Sequence, residues 1–267
     1  MSSVDTAKEL PTVLSFCSGY GGIERGLDLI GFEHQVIAYV EIEAYAIANL
    51  VNKMEAGLLP PAPIYSNLKT FPAHLFRDKV SLITGGYPCQ PFSAAGERKG
   101  TDDARHLWPY IRRHIDAIRP LQCFLENVEG HISLGLREVI SDLESFGYKT
   151  TWGIFSAREV GAPHQRKRVY ILADSNGVRC DRRELSDRVS QRSMEIETQQ
   201  RPEQSVVRSE VKGCGGKARR AHWPPEPRVG RVVDGCPDRV DRIRALGNAV
   251  VPQTAEKAWL TLNERIK

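Results

Sequence analysis

The stretch TVLSFCSGYGGIERGLDLIGF, residues 12–32, joins a short apolar run to a periodic one through a glycine-rich turn. The run at 12–17 has the length and apolarity of a buried strand. Ile23, Leu27 and Ile30 then recur near the helical period of 3.6 residues. Glycines between a strand and a helix let the backbone approach a ligand at the carboxyl end of the strand. The stretch therefore predicts the first strand–turn–helix unit of an α/β fold, with a ligand site at its turn.

The same alternation of strand-like and helix-like patterns continues to residue 173. Further strands are predicted at 35–41, 80–86, 122–128, 149–155 and 168–173, and helices at 44–54, 107–119 and 136–146. Alternation of this kind is typical of a doubly wound, mostly parallel sheet with helices on both faces. We expect an α/β fold of this class.

The composition is that of an ordinary globular protein: 41% of the 267 residues are hydrophobic and 26% are charged. No apolar run approaches the roughly 20 residues of a membrane span, and the N-terminus has no basic region followed by an apolar one. We therefore expect a cytoplasmic protein without a membrane segment. The six cysteines form no C-x-x-C pair, which argues against a disulfide framework or a zinc site, so no metal is expected.

A basic segment interrupts the pattern after Asp174. Residues 175–244 contain 16 Lys and Arg against 11 Asp and Glu, a net charge of +5 on a chain of net charge +4. Such a segment on a near-neutral body favours a polyanionic partner. Ordered patterning returns in RALGNAVVPQTAEKAWLTLNERIK, where we expect a Gly-Asn turn, a short apolar strand and a helix after Pro252. The predicted domains are a core at 1–174, a small insertion at 175–240 and a returning segment at 241–267.

Four groups of residues could carry chemistry at the carboxyl edge of this sheet. Glu41 ends the second strand, where a carboxylate can accept the hydroxyls of a ribose, so the glycine turn favours an adenosine-containing cofactor. Cys89 follows the strand at 80–86 on a turn stiffened by flanking prolines, as expected of a nucleophile that needs local activation.

The other two groups lie further along the chain. Glu126 in FLENVEG reaches the same edge, and a protonated carboxyl there could donate a hydrogen bond to a ring nitrogen. Arg166 and Arg168 in PHQRKRVYILA precede a strand, in which alternate residues share a face, so the pair could hold a ring oxygen or a phosphate. Taken singly, each of these is also compatible with an ordinary structural role.

These blocks, in this order, resemble the DNA (cytosine-5)-methyltransferase family. FCSGYGG resembles its cofactor motif, YPCQPFS its nucleophile motif, ENV its third signature, QRKRVYILA its arginine motif and RALGNAVVP its C-terminal Gly-Asn motif. The resemblance covers about 1–173 and 240–267, and residues 175–240 occupy the place of the family's target-recognition region. His164 departs from the family pattern, which has glutamine there.

The resemblance implies a Rossmann-like core that binds S-adenosyl-L-methionine. The positions that match the family's cofactor-lining residues are Phe16, Gly19, Gly22, Glu41, Asn67, Leu68, Pro88, Leu107, Asn248 and Val250. Asn67 is the weaker match, because the family more often has an acid there.

The resemblance also implies the reaction. Cys89 would add to C6 of cytosine, Glu126 would hydrogen-bond N3 and the amino group, and Arg168, with Arg166, would hold the ring. The cytosine would have to leave the duplex by base flipping, and the loop at 93–100 would close over it. The catalytic residues are thus predicted to be Cys89, Glu126, Arg166 and Arg168.

Double-stranded DNA is the expected partner, and a monomer is expected because one core carries every catalytic part. The residues predicted to contact DNA are Gln90, Ser93, Arg98, Arg182, Arg183, Arg219, Arg220 and Arg228.

Three other functions remain open at this point. A tRNA cytosine-5 methyltransferase shares the core and the Pro-Cys-Gln motif, and a DNA-binding protein could retain a catalytically weak core. A nicotinamide-dependent oxidoreductase could use the glycine turn and Glu41, but it would leave Cys89, Glu126 and the arginines unexplained.

Overall fold

The computed structural model describes residues 9–88, 107–175 and 247–267. Within these ranges one sheet contains seven strands: β1 (Thr12–Phe16), β2 (Gln35–Val40), β3 (Ile64–Tyr65), β4 (Leu82–Gly86), β5 (Gln122–Val128), β6 (Lys149–Ser156) and β7 (Lys167–Asp174). The helices are α1 (Gly22–Leu29), α2 (Ala44–Glu55), α3 (Trp108–Ile118), α4 (His131–Leu134), α5 (Leu136–Ser145) and α6 (Pro252–Ile266).

The strand order is β3-β2-β1-β4-β5-β7-β6. β7 runs antiparallel to both of its neighbours, and the other strand pairs are parallel. The chain order reverses between β1 and β4, which is where ligands bind in open α/β sheets, beyond the carboxyl ends of the strands. The predicted doubly wound, mostly parallel sheet is confirmed.

Helices cover both faces of the sheet because its central strands are apolar on both sides. On one face, Ile23 of α1, Leu50 of α2 and Trp259 of α6 join a buried cluster with side chains of β1, β4 and β5. On the other face, Ile111 of α3 and Val139 of α5 pack into a second cluster. The central strands are therefore buried from both sides, which fixes the edge of the sheet where the site lies.

α6 packs against α1 at unusually short range. A Cβ added at Gly22 would lie 2.6 Å from the Val250 carbonyl oxygen, and one at Gly26 would lie 2.7 Å from the Pro252 carbonyl oxygen. Only glycine fits at these two positions without displacing the backbone of the returning segment. Two glycines one helical turn apart therefore set the contact between the beginning of the core and the end of the chain.

Two details differ from the sequence prediction. The short apolar strand expected before Pro252 is wrong: residues 249–251 are irregular, and Val251 is the extended residue that precedes α6. Conversely, β3 was not predicted, because it has only two residues and follows a proline-rich turn that shows no strand periodicity. Among the described helices, none is long and apolar enough to cross a membrane.

Candidate active site

The turn after β1 is tied to the end of β2 by hydrogen bonds. The Ser18 hydroxyl donates to the Ser15 carbonyl oxygen (3.0 Å) and accepts from the Val40 N–H (3.2 Å). Gly19 has φ +53, a conformation that favours glycine, and its N–H donates to Glu41 Oε2 at 2.7 Å. A Cβ added at Gly19 would meet no atom nearer than 3.9 Å, so the turn leaves open space beside its backbone.

Glu41 is buried, and backbone groups fix its carboxylate in place. Its Oε1 accepts hydrogen bonds from the N–H groups of Ile42 (2.8 Å) and Glu43 (2.9 Å), while Oε2 accepts the one from Gly19. A carboxylate has about four acceptor positions. Three are in use, so Oε2 retains the capacity to accept one hydroxyl of a ligand placed over the turn.

A buried aromatic cluster lies beneath this turn. The Phe16 ring is fully buried and meets the rings of Phe71 at 5.6 Å and His114 at 5.7 Å. His114 Nε2 lies 2.6 Å from the Leu68 carbonyl oxygen, and because a carbonyl only accepts, this nitrogen carries the proton. Burial lowers the pKa of His114. A neutral histidine thus links Phe16 to Leu68.

Glu126 and Arg168 form a buried ion pair at the same edge of the sheet. Arg168 Nε lies 2.9 Å from Glu126 Oε1, with the side chains 17% and 9% exposed. Glu126 is opposite Gly86 in the register of β4 and β5, and a Cβ at Gly86 would lie 3.4 Å from Glu126 Oε2. Burial raises the pKa of Glu126 to about 7, although Arg168 and Arg166 favour the charged form. The carboxyl is therefore poised to hold or release a proton near neutral pH.

Arg166 lies outside the strand that contains Arg168. β7 begins at Lys167, and Arg166 has φ +33, so the alternation of side chains along a strand does not extend to it. The prediction that both arginines share one face rested on that alternation, which does not apply to Arg166, and it stays a prediction. Arg166 Nη2 instead donates to the carbonyl oxygens of Gly247 (2.9 Å) and Ala249. Its charge still acts on Glu126, so the two groups share one neighbourhood.

The residue before the Pro-Cys turn is anchored to the start of α4. The Tyr87 hydroxyl and His131 Nε2 are 3.0 Å apart, and both side chains are buried. Burial lowers the pKa of His131 to about 4, so its imidazole is neutral at pH 7. The chain entering Pro88 and Cys89 is thus held to the start of α4.

The model of the family "C-5 cytosine-specific DNA methylase" matches residues 12–217, more than three quarters of the chain. The chain belongs to this family. The match includes the glycine turn, the Pro-Cys-Gln motif, Glu126 and both arginines.

The curated relatives of the chain include proteins named type II methyltransferases. The chain is 34% identical over 170 residues to the type II methyltransferase M.NaeI of Lentzea aerocolonigenes, covering 61% of this chain and 40% of the relative. It is 31% identical over 206 residues to the type II methyltransferase M.BsuRI of Bacillus subtilis, covering 68% and 46%. The chain thus spans less than half the length of these two relatives.

Solved structures share the fold of this chain. The S. pombe Dnmt2 methyltransferase superposes with a TM-score of 0.53 and 26% identity, covering 64% of this chain and 52% of that one. The Spodoptera frugiperda DNMT2 structure gives a TM-score of 0.52 at 24% identity, covering 63% and 51%. The second likeness concerns the fold alone.

The methylase core brings several predicted residues together. Gly19 contacts Glu41, and Gly22 lies against Val250. Phe16 and Leu68 share one buried cluster, and Glu126 pairs with Arg168. Leu107 is partly buried at the start of α3, whereas Asn67, Pro88 and Asn248 are exposed. The Asn67 side chain accepts a hydrogen bond from the Lys69 N–H at 2.9 Å.

The remaining predicted residues lie outside the described ranges. They are Cys89, Gln90, Ser93, Arg98, Arg182, Arg183, Arg219, Arg220 and Arg228, together with the loop at 93–100 and the insertion at 175–240. Their roles stay predictions. Within the described ranges, no group of three or more His, Cys, Asp or Glu side chains is placed to hold a metal ion.

Three supporting residues of the site, Ser18, His114 and His131, were not predicted. Each acts through a partner far away in sequence: 22 residues for Ser18, 46 for His114 and 44 for His131. The residues around a buried histidine in a helix do not indicate a partner so distant in sequence, so the sequence alone did not predict these contacts.

Proposed function

We propose that this chain transfers a methyl group from S-adenosyl-L-methionine to C5 of a flipped-out cytosine in double-stranded DNA, through a covalent bond between Cys89 and C6. One observation carries the proposal within the family: the buried Glu126–Arg168 pair, with the pKa of Glu126 raised to about 7. A carboxyl in this state can protonate or hydrogen-bond a pyrimidine ring. An acid of ordinary pKa would be ionised at pH 7 and could only accept.

The residues around the first turn fit the cofactor. Open space beside Gly19 and the free acceptor capacity of Glu41 Oε2 suit a ribose hydroxyl, while Leu68 and the Phe16 cluster offer an apolar surface beside it. When bound, the cofactor supplies an electrophilic methyl group. We assign its binding to the predicted set of Phe16, Gly19, Gly22, Glu41, Asn67, Leu68, Pro88, Leu107, Asn248 and Val250.

The chain's own residues then prepare the cytosine. Cys89 adds as a thiolate to C6, which makes C5 nucleophilic. Glu126, in its protonated form, donates a hydrogen bond to N3 of the ring and stabilises the charge that this addition develops. Arg168 holds Glu126 in place through its Nε and presents the guanidinium to the ring oxygen. After methylation a base removes the C5 proton, and the Cys89–C6 bond breaks.

The choice of DNA as substrate rests on family membership and on the names of the relatives as type II methyltransferases. The basic segment at 175–240 supports this choice, since its positive charge suits a polyanion. We assign target recognition to this segment, and we propose that the chain acts as a cytoplasmic monomer in a modification or restriction-modification system.

The test is conversion-based sequencing of DNA from cells that express the wild-type chain, Cys89→Ser or Glu126→Gln. We expect 5-methylcytosine in one short sequence context, its loss in Cys89→Ser, and a fall in methylation rate of about 10² or more in Glu126→Gln. Glu129→Gln is the matched control, because Glu129 is three residues away, is 49% exposed and pairs with Lys167 at 3.3 Å.

The result that overturns the proposal is a folded wild-type protein that binds S-adenosyl-L-methionine and leaves every cytosine of DNA unmodified. Methylation of RNA by the same preparation would then favour the alternative function, a tRNA cytosine-5 methyltransferase. Unmodified DNA and RNA together would favour a binding protein on a methylase core.

A further inference from the structure

Arg166 connects the arginine motif to the segment that returns from the insertion. Its Nη2 donates to the carbonyl oxygens of Gly247 and Ala249, which are the residues on either side of Asn248. Two backbone acceptors two residues apart are thus held by one guanidinium group. This geometry fixes the path of residues 247–249 relative to the start of β7.

Val250, the next residue, contacts both halves of the site. A Cβ added at Gly22 would lie 2.6 Å from the Val250 carbonyl oxygen and 2.9 Å from its Cβ. A Cβ added at Gly86 would lie 3.8 Å from Val250 Cγ2 and 3.4 Å from Glu126 Oε2. Val250 therefore lies between the cofactor turn and the Glu126 carboxyl, and its position depends on residues 247–249.

The backbone of Arg166 has an unusual conformation. Its φ of +33 is rare for a residue with a side chain, and it interrupts the extended path immediately before β7. Arg168, two residues later, lies in the strand and pairs with Glu126. The two arginines of the motif thus point to different partners, one to the returning segment and one to the catalytic acid.

We propose that Arg166 is a positioning residue: it docks residues 247–250 onto the sheet edge and so holds Val250 between the cofactor turn and Glu126. This inference rests on the proposed function, and it moves Arg166 from the predicted catalytic set to a supporting role. Arg166 acts on the cofactor through residues 247–250, whereas Arg168 holds Glu126 and itself faces the ring.

The experiment compares Arg166→Met with Arg168→Met in two measurements that need no DNA. The first is amide hydrogen exchange of peptides that cover 247–255, and the second is calorimetric titration with S-adenosyl-L-methionine. We expect Arg166→Met to speed exchange in these peptides and to weaken cofactor binding about tenfold, since hydrogen bonds from a charged donor to two carbonyls are lost. Arg168→Met should leave both unchanged and lower turnover on DNA.

Exchange in peptides from β1 and β4 serves as an internal reference for folding in every variant. Arg166→Lys provides a second check, because a lysine ammonium can still donate to a carbonyl, and we expect partial recovery of cofactor affinity. Unchanged exchange at 247–255 together with unchanged cofactor affinity in Arg166→Met overturns the inference, as does an equal effect of Arg168→Met. A wild-type chain that fails to bind the cofactor would instead overturn the proposed function.

Discussion

Glu126 and His131 are both buried titratable side chains near the start of the Pro-Cys turn, and burial shifts their pKa values in opposite directions. The pKa of Glu126 rises to about 7, and that of His131 falls to about 4. In each case burial favours the neutral form, because a charge is costly in a medium of low polarity. At pH 7, His131 is neutral and lies within hydrogen-bond distance of the Tyr87 hydroxyl, while Glu126 populates both its protonated and its charged form.

The raised pKa of Glu126 predicts how stability depends on pH. Between the ordinary value of 4.5 and about 7, the folded chain retains a proton that the unfolded chain has lost, so the free energy of unfolding falls as pH rises. Glu126→Gln does not titrate. The free energy of unfolding of the wild type, minus that of Glu126→Gln, should therefore fall by about 2 kcal/mol between pH 5 and pH 8.

Chemical denaturation of both proteins at several pH values provides this difference, in which the titration of all other groups cancels. Glu129→Gln, at an exposed position just after the end of β5, is the control substitution. A difference between wild type and Glu126→Gln that stays constant across this range would show that Glu126 has an ordinary pKa.

At the scale of elements, the contact between α1 and residues 250–252 leaves no room for a side chain at Gly22. Gly22→Ala would place a methyl group 2.6 Å from the Val250 carbonyl oxygen and 2.9 Å from the Val250 Cβ, and neither atom can rotate away. We expect a loss of about 1 to 3 kcal/mol in the free energy of unfolding, together with weaker cofactor binding.

Gly130→Ala is the matched control for this substitution. Gly130 has φ −61 and ψ −17, and a Cβ there would meet no atom within 4 Å, so alanine should be neutral or slightly stabilising. Urea denaturation of both variants measures the contrast. Equal stabilities of Gly22→Ala and Gly130→Ala would mean that α1 and residues 250–252 can separate at no cost.

The sequence predicted the long elements of the sheet well, because their burial repeats with a clear period. β1, β2, β4, β5, β6 and β7 all lie where apolar runs or alternation placed strands, within a few residues at their ends. Two failures have a common cause. The conformations of β3 and of the irregular run at 249–251 depend on contacts with residues distant in sequence. β3 pairs with β2, and the path of 249–251 is set by contacts with Arg166 and Gly22.

For the site, the sequence indicated which residues lie at the same edge of the sheet, but it did not indicate the buried side chains that hold them in place. The approach of Glu41 to Gly19 follows from the ends of β2 and β1, which share one edge of a parallel sheet. Glu126 meets Arg168 because β7 begins at that edge and runs antiparallel to β5. The left-handed backbone at Arg166 and the histidine contacts to Tyr87 and Leu68 depend on tertiary packing.

At the scale of the whole molecule, α6 supplies much of the core on one face. Trp259 is fully buried, with its ring 5.1 Å from that of Phe124 in an edge-to-face arrangement and 5.7 Å from that of Phe32. Trp259→Ala should lower the free energy of unfolding by about 3 to 5 kcal/mol, because a large cavity would open between α6 and the sheet.

Trp152→Ala is the matched control, since Trp152 lies on the edge strand β6 and is 42% exposed. We expect it to cost less than about 1 kcal/mol. Thermal or urea denaturation followed by circular dichroism distinguishes the two. Similar losses for Trp152→Ala and Trp259→Ala would mean that the last helix contributes little to the stability of the core.

The antiparallel direction of β7 limits how the segment between Ser175 and Gly247 can be replaced. The strand begins at the functional edge and ends at the opposite one, where the Ser175 N–H bonds the Leu121 carbonyl oxygen; the described chain resumes beside Arg166 at Gly247. The two junctions are thus separated by the height of an eight-residue strand, about 25 Å. Any exchanged insert must bridge that distance, which takes at least about eight extended residues. Chimeras that exchange the segment between these junctions therefore need a minimum insert length, which is set by the sheet and does not depend on the sequence of the insert.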